Sequence, residues 1–203
     1  DFLRSIINNA VFSDARISNS SFLMANMSSI VLSDATIENT DFTMASMSFA
    51  DLSDASLDNN IFSDCSCNNM DLSGSEVSSS IFINTKMPST SFSKAEVVKS
   101  DFSDAILSFG DFTKVEISES KFNYASANNA DFSKSELKGV DFSNANLSSA
   151  NFSNTKLISV NFKKAMLNFA NFDGAEFEDV SFEGATLNNV SSNGAKNVPF
   201  KTL

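Results

Sequence analysis

The sequence predicts an all-β solenoid built from five-residue repeats. Every fifth residue from Phe2 to Leu187 is apolar, counting Cys67 and Ala127, and the residue two positions before each of these is mostly small. The other three positions of each unit are mostly Asp, Asn, Ser, Lys or Glu. Two inward residues in five fit neither the 3.6-residue period of a helix nor the plain period of two of a strand. They fit a short extended side followed by a tight turn, for which Asn, Asp and Ser are suited.

The size of one coil follows from a longer period, which spans four repeats. At this spacing Phe lies over Phe, and like charges form columns such as Lys94, Lys114 and Lys134, whereas a coil of only three repeats would place Phe over Leu. We therefore expect a four-sided coil, with one repeat for each side. With roughly 4.8 Å per coil, 9–10 coils give a rod roughly 45 Å long.

Several repeat units resemble those of a known family. Residues 105–109, 130–134, 145–149 and 150–154 read Ala-Asp/Asn-Leu/Phe-x-x or close to it, and so resemble the pentapeptide-repeat proteins. The resemblance covers residues 1–190 and implies a right-handed quadrilateral parallel β-helix. The apolar pattern fades after Leu187, so we expect residues 191–203 to form an irregular C-terminal cap, because solenoid ends expose strand edges.

Composition argues against an enzyme and against a nucleic-acid binder. Asp and Glu total 25 and Lys and Arg total 14, a net charge of −11, which disfavours DNA, RNA and anionic membranes but allows a basic protein partner. The chain has no His, no Gly-rich phosphate loop and no zinc motif. We therefore expect no catalytic residue, no cofactor site and no metal site. No apolar stretch approaches the ~20 residues of a membrane span.

Two sequence features suggest metal or redox chemistry but have simpler interpretations. Cys65 and Cys67 both fall on inward positions, so we expect two buried small hydrophobic residues. Asp14, Asp34 and Asp54 form a column that could hold a hard cation through oxygen ligands. We expect this column instead to be a solvated ladder of charges.

Opposite charges also recur in adjacent columns. Lys94, Lys114 and Lys134 each precede a Glu by two positions, so we expect the Lys and Glu columns to neutralise one another.

A still longer period, of three coils, places three aromatic residues on outward positions. Phe49, Phe109 and Phe169 recur where intervening coils carry Asn or Ser, and three coils separate them by about 14 Å. An exposed aromatic line is a natural contact site for a protein partner. The alternative is that duplication of a three-coil block copied a surface Phe with no role.

The first half of the chain is acidic. Between Arg16 and Lys86 there are nine acidic residues and no basic one. Asp34, Glu38 and Asp54 from this run, together with Asp14 just before it, are candidates for a surface that steers a basic partner. Our main hypothesis is a non-enzymatic scaffolding module that binds other proteins within a larger assembly. The resemblance also implies two alternatives: a DNA-mimicking rod that binds a type II topoisomerase, or the β-helix targeting domain of a secreted effector.

The N-terminal coil shows no cap of its own. The chain starts at Asp1 rather than Met, so we expect a soluble processed protein, for which the thylakoid lumen is one family precedent, or a fragment of a longer one. We also expect missing residues or a partner to cover the first coil.

Overall fold

Nine short strands stack along one side of a rod, one strand for each coil. A computed structural model describes residues 1–200. The strands pair in parallel, in chain order, as one nine-stranded sheet. They are β1 (Arg16–Ser18), β2 (Thr36–Glu38), β3 (Ser56–Asp58), β4 (Glu76–Ser78), β5 (Glu96–Val98), β6 (Glu116–Ser118), β7 (Glu136–Lys138), β8 (Lys156–Ile158) and β9 (Glu176–Glu178).

Each coil has four sides because the chain turns once in every repeat. The turn residue has a positive φ, as at Asn9 (58°), Asp14 (58°) and Asn19 (48°). Asn and Asp adopt this left-handed conformation at lower cost than most residues. At three of the four corners, the N–H of the residue after the turn residue donates a hydrogen bond to the carbonyl three positions earlier, as from Ala10 to Ile7. The predicted right-handed quadrilateral parallel β-helix is confirmed.

The register between coils is the same on every side of the rod. On the strand side Ile17 pairs with Ile37, and Ile37 with Leu57, so each residue pairs with the one four repeats further along the chain. Single parallel bridges hold the other sides in the same register, for example between Val31 and Asp51. The predicted coil length is therefore also confirmed.

The core consists of the apolar residues that the repeat places inward. From Phe22 to Phe177 every one of these positions is buried. Phe rings stack from coil to coil, with centroids of Phe82 and Phe102 at 4.5 Å and of Phe102 and Phe122 at 4.7 Å. A second column of Phe rings meets the first edge-on in the later coils, as between Phe92 and Phe102 at 5.7 Å. Such pairs add about 0.5–1.5 kcal/mol each beyond area burial.

The fourth corner of the coil is stabilised differently, by a buried ladder of polar side chains. The N–H of Thr40 donates to Asn60 Oδ1 at 3.0 Å, and the N–H of Asn60 donates to Ser80 Oγ at 3.1 Å. The N–H groups of Ser80 and Ser100 donate in the same way to the hydroxyl one coil further on, at 3.2 and 3.0 Å. This ladder was not predicted, because the repeat pattern indicates only that small residues occupy the corner.

The coil geometry extends past residue 190, where we placed the start of the cap. Asn171 bridges to Ser191, and Glu176 bridges to Lys196. Beyond Lys196 the Phe200 ring packs edge-on against Phe182, with centroids 4.8 Å apart. Phe200 thus covers part of the last coil, while residues 201–203 of the predicted cap lie outside the described residues.

Candidate protein-contact surface

Three exposed aromatic residues lie on one edge of the rod. Phe49, Phe109 and Phe169 expose 63%, 62% and 62% of their surface. Each is the corner residue of its turn, and three coils separate neighbours in the column by about 14 Å. We call this column the Phe edge; the sequence predicted both its members and their exposure.

The backbone does not favour Phe at these corners. Phe49, Phe109 and Phe169 have φ values of 61°, 60° and 64°, a conformation in which a bulky residue is an outlier. Asn69 and Asn129 occupy the same corner of other coils, where Asn is well tolerated. Neither turn formation nor core packing therefore explains the three Phe side chains.

The Phe edge borders a side of the rod that is almost free of charge. We call this side the uncharged face; it comprises the two outward residues on the side of each coil that ends at the Phe edge, from Ile6 and Asn8 to Thr186 and Asn188. Lys86 is its one charged residue, and the rest are Ser, Asn, Thr, Pro, Ile and Met. The corner residues of the Phe edge itself carry no charge either.

Several of the other exposed hydrophobic side chains lie on or beside the same face. Ile106 and Met166 lie on it, and Met24, Met44 and Tyr124 occupy the corner along its opposite edge. Sequence reasoning missed this grouping. The sequence does contain the signal for this grouping, because outward residues that are one coil apart in the sequence lie on the same side of the rod.

The side of the rod opposite the uncharged face is highly charged. We call it the strand face; it comprises the outward residues of β1–β9, and Glu76, Glu96, Glu116 and Glu136 stack along it on directly paired strands. Lys156 follows in this column and lies 3.3 Å from Glu136. Shallow surface depressions follow the same strands.

Charges pair along the rod axis rather than around the coil. Five ion pairs occur within residues 1–200, and each joins two residues on neighbouring coils. They link Lys99 to Glu119, Lys121 to Asp101, Lys156 to Glu136, Lys163 to Glu183, and Lys196 to Glu176. None of them joins the column of Lys94, Lys114 and Lys134 to the Glu column, so the predicted neutralisation of these two columns is wrong. The corner residues and the strand residues project in different directions, whereas residues one coil apart lie directly above one another.

Two carboxylates in the last coils have altered acidity. Hydrogen bonds that Asp173 accepts, first from the Ser191 hydroxyl and then from the Asn193 N–H, lower the pKa of its carboxyl group. The hydrogen bond and the charge of Lys196 lower the pKa of Glu176.

The candidate acidic residues lie on two sides of the rod. Asp14, Asp34 and Asp54 occupy the corner next to the Phe edge, one side of the coil away, while Glu38 lies on the strand face. All four are exposed. The acidic surface therefore adjoins the Phe edge but does not merge with it.

Family models match both halves of the chain. The model described as pentapeptide repeats (8 copies) matches residues 10–48, 41–78 and 50–87, and the one described as pentapeptide repeat region matches residues 111–192. This chain is a pentapeptide-repeat protein. No curated protein sequence gives a significant match to this pentapeptide-repeat chain.

Solved structures of the same family are similar to this pentapeptide-repeat rod at low sequence identity. HetL, involved in heterocyst differentiation regulation in the cyanobacterium Nostoc sp. strain PCC 7120, is 18% identical over 90% of this chain and 89% of its own, with a TM-score of 0.36. QnrB1, a plasmid-mediated fluoroquinolone resistance protein, is 16% identical over 90% of this chain and 94% of its own, with a TM-score of 0.39. A protein of the Arabidopsis thaliana thylakoid lumen is 26% identical over 59% of this chain and 71% of its own, with a TM-score of 0.38.

The two cysteines of the pentapeptide-repeat rod are buried but not free. Cys65 and Cys67 are fully buried, as predicted, yet a disulfide joins them. The expectation of burial is therefore confirmed, but the two residues are not the separate small hydrophobic side chains that we expected. Both side chains point inward, one on each side of the outward Ser66, and their Cα atoms are 5.7 Å apart, within the range that a disulfide bridges.

The described part of the rod contains no group of three or more Cys, Asp or Glu side chains arranged to hold a metal ion. Asp14, Asp34 and Asp54 remain separate exposed residues of one corner column. Across residues 1–200 there is also no helix of the length and hydrophobicity needed to span a membrane.

Proposed function

We propose that this pentapeptide-repeat rod is a non-enzymatic scaffolding module that binds protein partners through the Phe edge. The observation that carries the proposal is the exposure of Phe49, Phe109 and Phe169 at corners where the backbone disfavours them. A rod with flat sides must gain affinity from an extended surface, and buried aromatic anchors supply most of the energy of such interfaces.

The surroundings of the Phe edge support this role. An interface is depleted of charge at its centre and carries polar residues at its rim. The uncharged face provides such a centre, and the corner of Asp14, Asp34 and Asp54 lies one side of the coil beyond the Phe edge. We propose that these carboxylates, together with Glu38, increase the rate at which a partner with exposed basic side chains associates, because charges at a rim act mainly on association.

The test is affinity capture from a native lysate with identification of the captured proteins by mass spectrometry. A variant with Phe49, Phe109 and Phe169 all changed to Asn should lose its partner at every salt concentration, since Asn suits the positive φ of the corners. Ile83→Ser is the matched control, because Ile83 is an exposed apolar residue on another side of the rod. Unchanged capture by the triple variant would show that the Phe edge is a relic of duplication.

The acidic residues can be tested separately. Neutralising Asp34, Glu38 and Asp54 should weaken capture mainly at low ionic strength. Screening at ~0.15 M salt already limits the range of the electrostatic attraction between exposed charges to about 8 Å. A loss that persists equally at high salt would instead place these residues in the contact itself.

A DNA-mimicking role is the second candidate, and the run of nine acidic residues without a basic one favours it. These acids, however, lie on several sides of the rod, with Asp41, Asp51, Asp64 and Glu76 in four different columns. The test is a supercoiling assay with a type II topoisomerase. Inhibition by the parent protein, relieved by neutralising these four residues, would support mimicry.

A further inference from the structure

The exposed surface of the rod suggests which partner fits the Phe edge. Each copy carries a net charge of −11, so two copies repel one another at most orientations. The strand face would bring the stacked column of Glu76, Glu96, Glu116 and Glu136 against its own copy. The uncharged face, with Lys86 as its one charge, is the side on which two copies can meet without this cost.

The spacing of the Phe edge is self-complementary. Phe49, Phe109 and Phe169 are separated by equal steps of three coils, so Phe109 lies at the centre of the column. A two-fold axis perpendicular to the rod at the height of Phe109 brings Phe109 next to its own copy. The same axis brings Phe49 next to Phe169 of the second copy, and it places Ile106 close to the axis.

Charge along the rod selects the antiparallel arrangement. Residues 17–85 carry nine acidic and no basic side chains, whereas all twelve Lys residues lie from Lys86 onward. In a parallel pair the two acidic halves would lie side by side. In an antiparallel pair each acidic half lies beside a half that contains Lys, and the exposed corner residues Asp64 and Lys164 come to similar heights on the two copies.

We infer that the partner of the Phe edge is a second copy of this chain, docked antiparallel through the uncharged face. The inference rests on the proposed function and names the occupant of the same surface. A face roughly 10 Å wide and 45 Å long provides about 450 Å² per copy, and the Phe side chains bring the total for two copies to about 1,000 Å². This is the lower limit for a specific interface, so the dimer should be weak and concentration-dependent. Both strand faces remain outward and available to other subunits.

The experiment is sedimentation equilibrium of the full chain from about 1 µM to about 1 mM, a range that covers weak association. The parent protein should shift from monomer to dimer. Phe109→Asn should raise the dimer dissociation constant at least about tenfold, because it removes the residue on the two-fold axis. Ile83→Ser should leave the constant unchanged, and circular dichroism should show all three proteins equally folded. A parent that stays monomeric, or a dimer that Phe109→Asn does not weaken, would overturn the inference.

Cysteine cross-linking tests the register of the dimer. Phe109→Cys should form a disulfide-linked dimer under mild oxidation, whereas Phe49→Cys should cross-link with Phe169→Cys and not with itself. The parent is the control, because Cys65 and Cys67 are buried and joined to one another. Self-linking of Phe49→Cys would overturn the antiparallel arrangement. If the rod is monomeric yet still captures another protein through the Phe edge, this inference fails while the proposed function stands; if both assays fail, so does the proposed function.

Discussion

The uncharged face and the strand face are opposite sides of one rod and have the same fold, yet their surfaces differ sharply. They lie two repeats apart within each coil and share one backbone register. The uncharged face carries Ser, Asn and a few apolar side chains, whereas the strand face carries columns of Glu and Lys. Because each repeat buries only two of its five residues, the outward positions are not fixed by the core.

The interior beneath the two faces also differs. Under the strand face the buried column is rich in Ile, Val and Leu, such as Ile37, Val77 and Val97, which favour extended backbone. Under the uncharged face the column contains Met27, Met47 and the disulfide-bonded Cys67, and only single bridges form on that side. Folding therefore requires only that apolar or small residues recur at the inward positions, so the surface of each side can be adapted separately.

The largest expected effect comes from the core that both faces share. Phe132→Ala should lower the free energy of unfolding by about 3–5 kcal/mol, because its ring stacks on Phe112 at 4.6 Å and on Phe152 at 5.0 Å. Phe109→Ala, at the exposed Phe edge, should cost less than about 1 kcal/mol. Chemical denaturation measures both, and a larger loss for Phe109→Ala would mean that the edge has a structural role.

The corner that ends the strand face should be more sensitive than the corners of the uncharged face. Asn60→Ala should cost about 1–3 kcal/mol, because it removes the acceptor of the buried Thr40 N–H and one of the donors to the Ile37 carbonyl. Asn69→Ser at the exposed Phe-edge corner is the control and should change stability by under about 0.5 kcal/mol. If the two changes had equal effects on thermal unfolding, the buried polar ladder would not stabilise this corner.

Charge on the strand face should reduce stability slightly. Glu116 lies between Glu96 and Glu136 on directly paired strands, and like charges in that arrangement are destabilising. Glu116→Gln should therefore raise the free energy of unfolding by about 0.2–1 kcal/mol at low salt and by less at high salt. Ser126→Gln on the uncharged face, where no Glu column exists, should show no such salt dependence.

The smallest effect concerns a partly exposed carboxylate in the last coils. Ser191 and Asn193 hold the pKa of Asp173 below its ordinary value of 3.8. Because the pKa of Asp173 is lower in the folded state, its ionised carboxylate stabilises the fold fully above pH 3.8. This stabilisation is lost as the pH falls through the pKa of the folded state. Asp173→Asn should thus lower the melting temperature slightly at pH 7, and the two proteins should converge at strongly acidic pH. A difference that is independent of pH would rule out this ionisation.

The amino-acid sequence is sufficient to predict the fold, the inward register and the Phe edge. The period of one repeat states which residues point inward, and the period of four repeats states which residue lies above which; both are properties of the chain alone. The repeat alone thus assigns Phe102 and Phe132 to the core and Phe109 to the surface. The Phe edge followed because an apolar residue at an outward corner breaks the pattern.

Only the tertiary structure decided what each side chain contacts. Three contacts depend on the direction in which side chains leave the backbone. They are the disulfide between Cys65 and Cys67, the donation from the Thr40 N–H to Asn60, and the pairing of Glu136 with Lys156 rather than Lys134. The grouping of Ile106, Met166 and Tyr124 around the uncharged face depends on that direction as well. A linear repeat gives inward and outward positions, but the turn at each corner sets the direction of the outward ones, and their partners then come from the neighbouring coil.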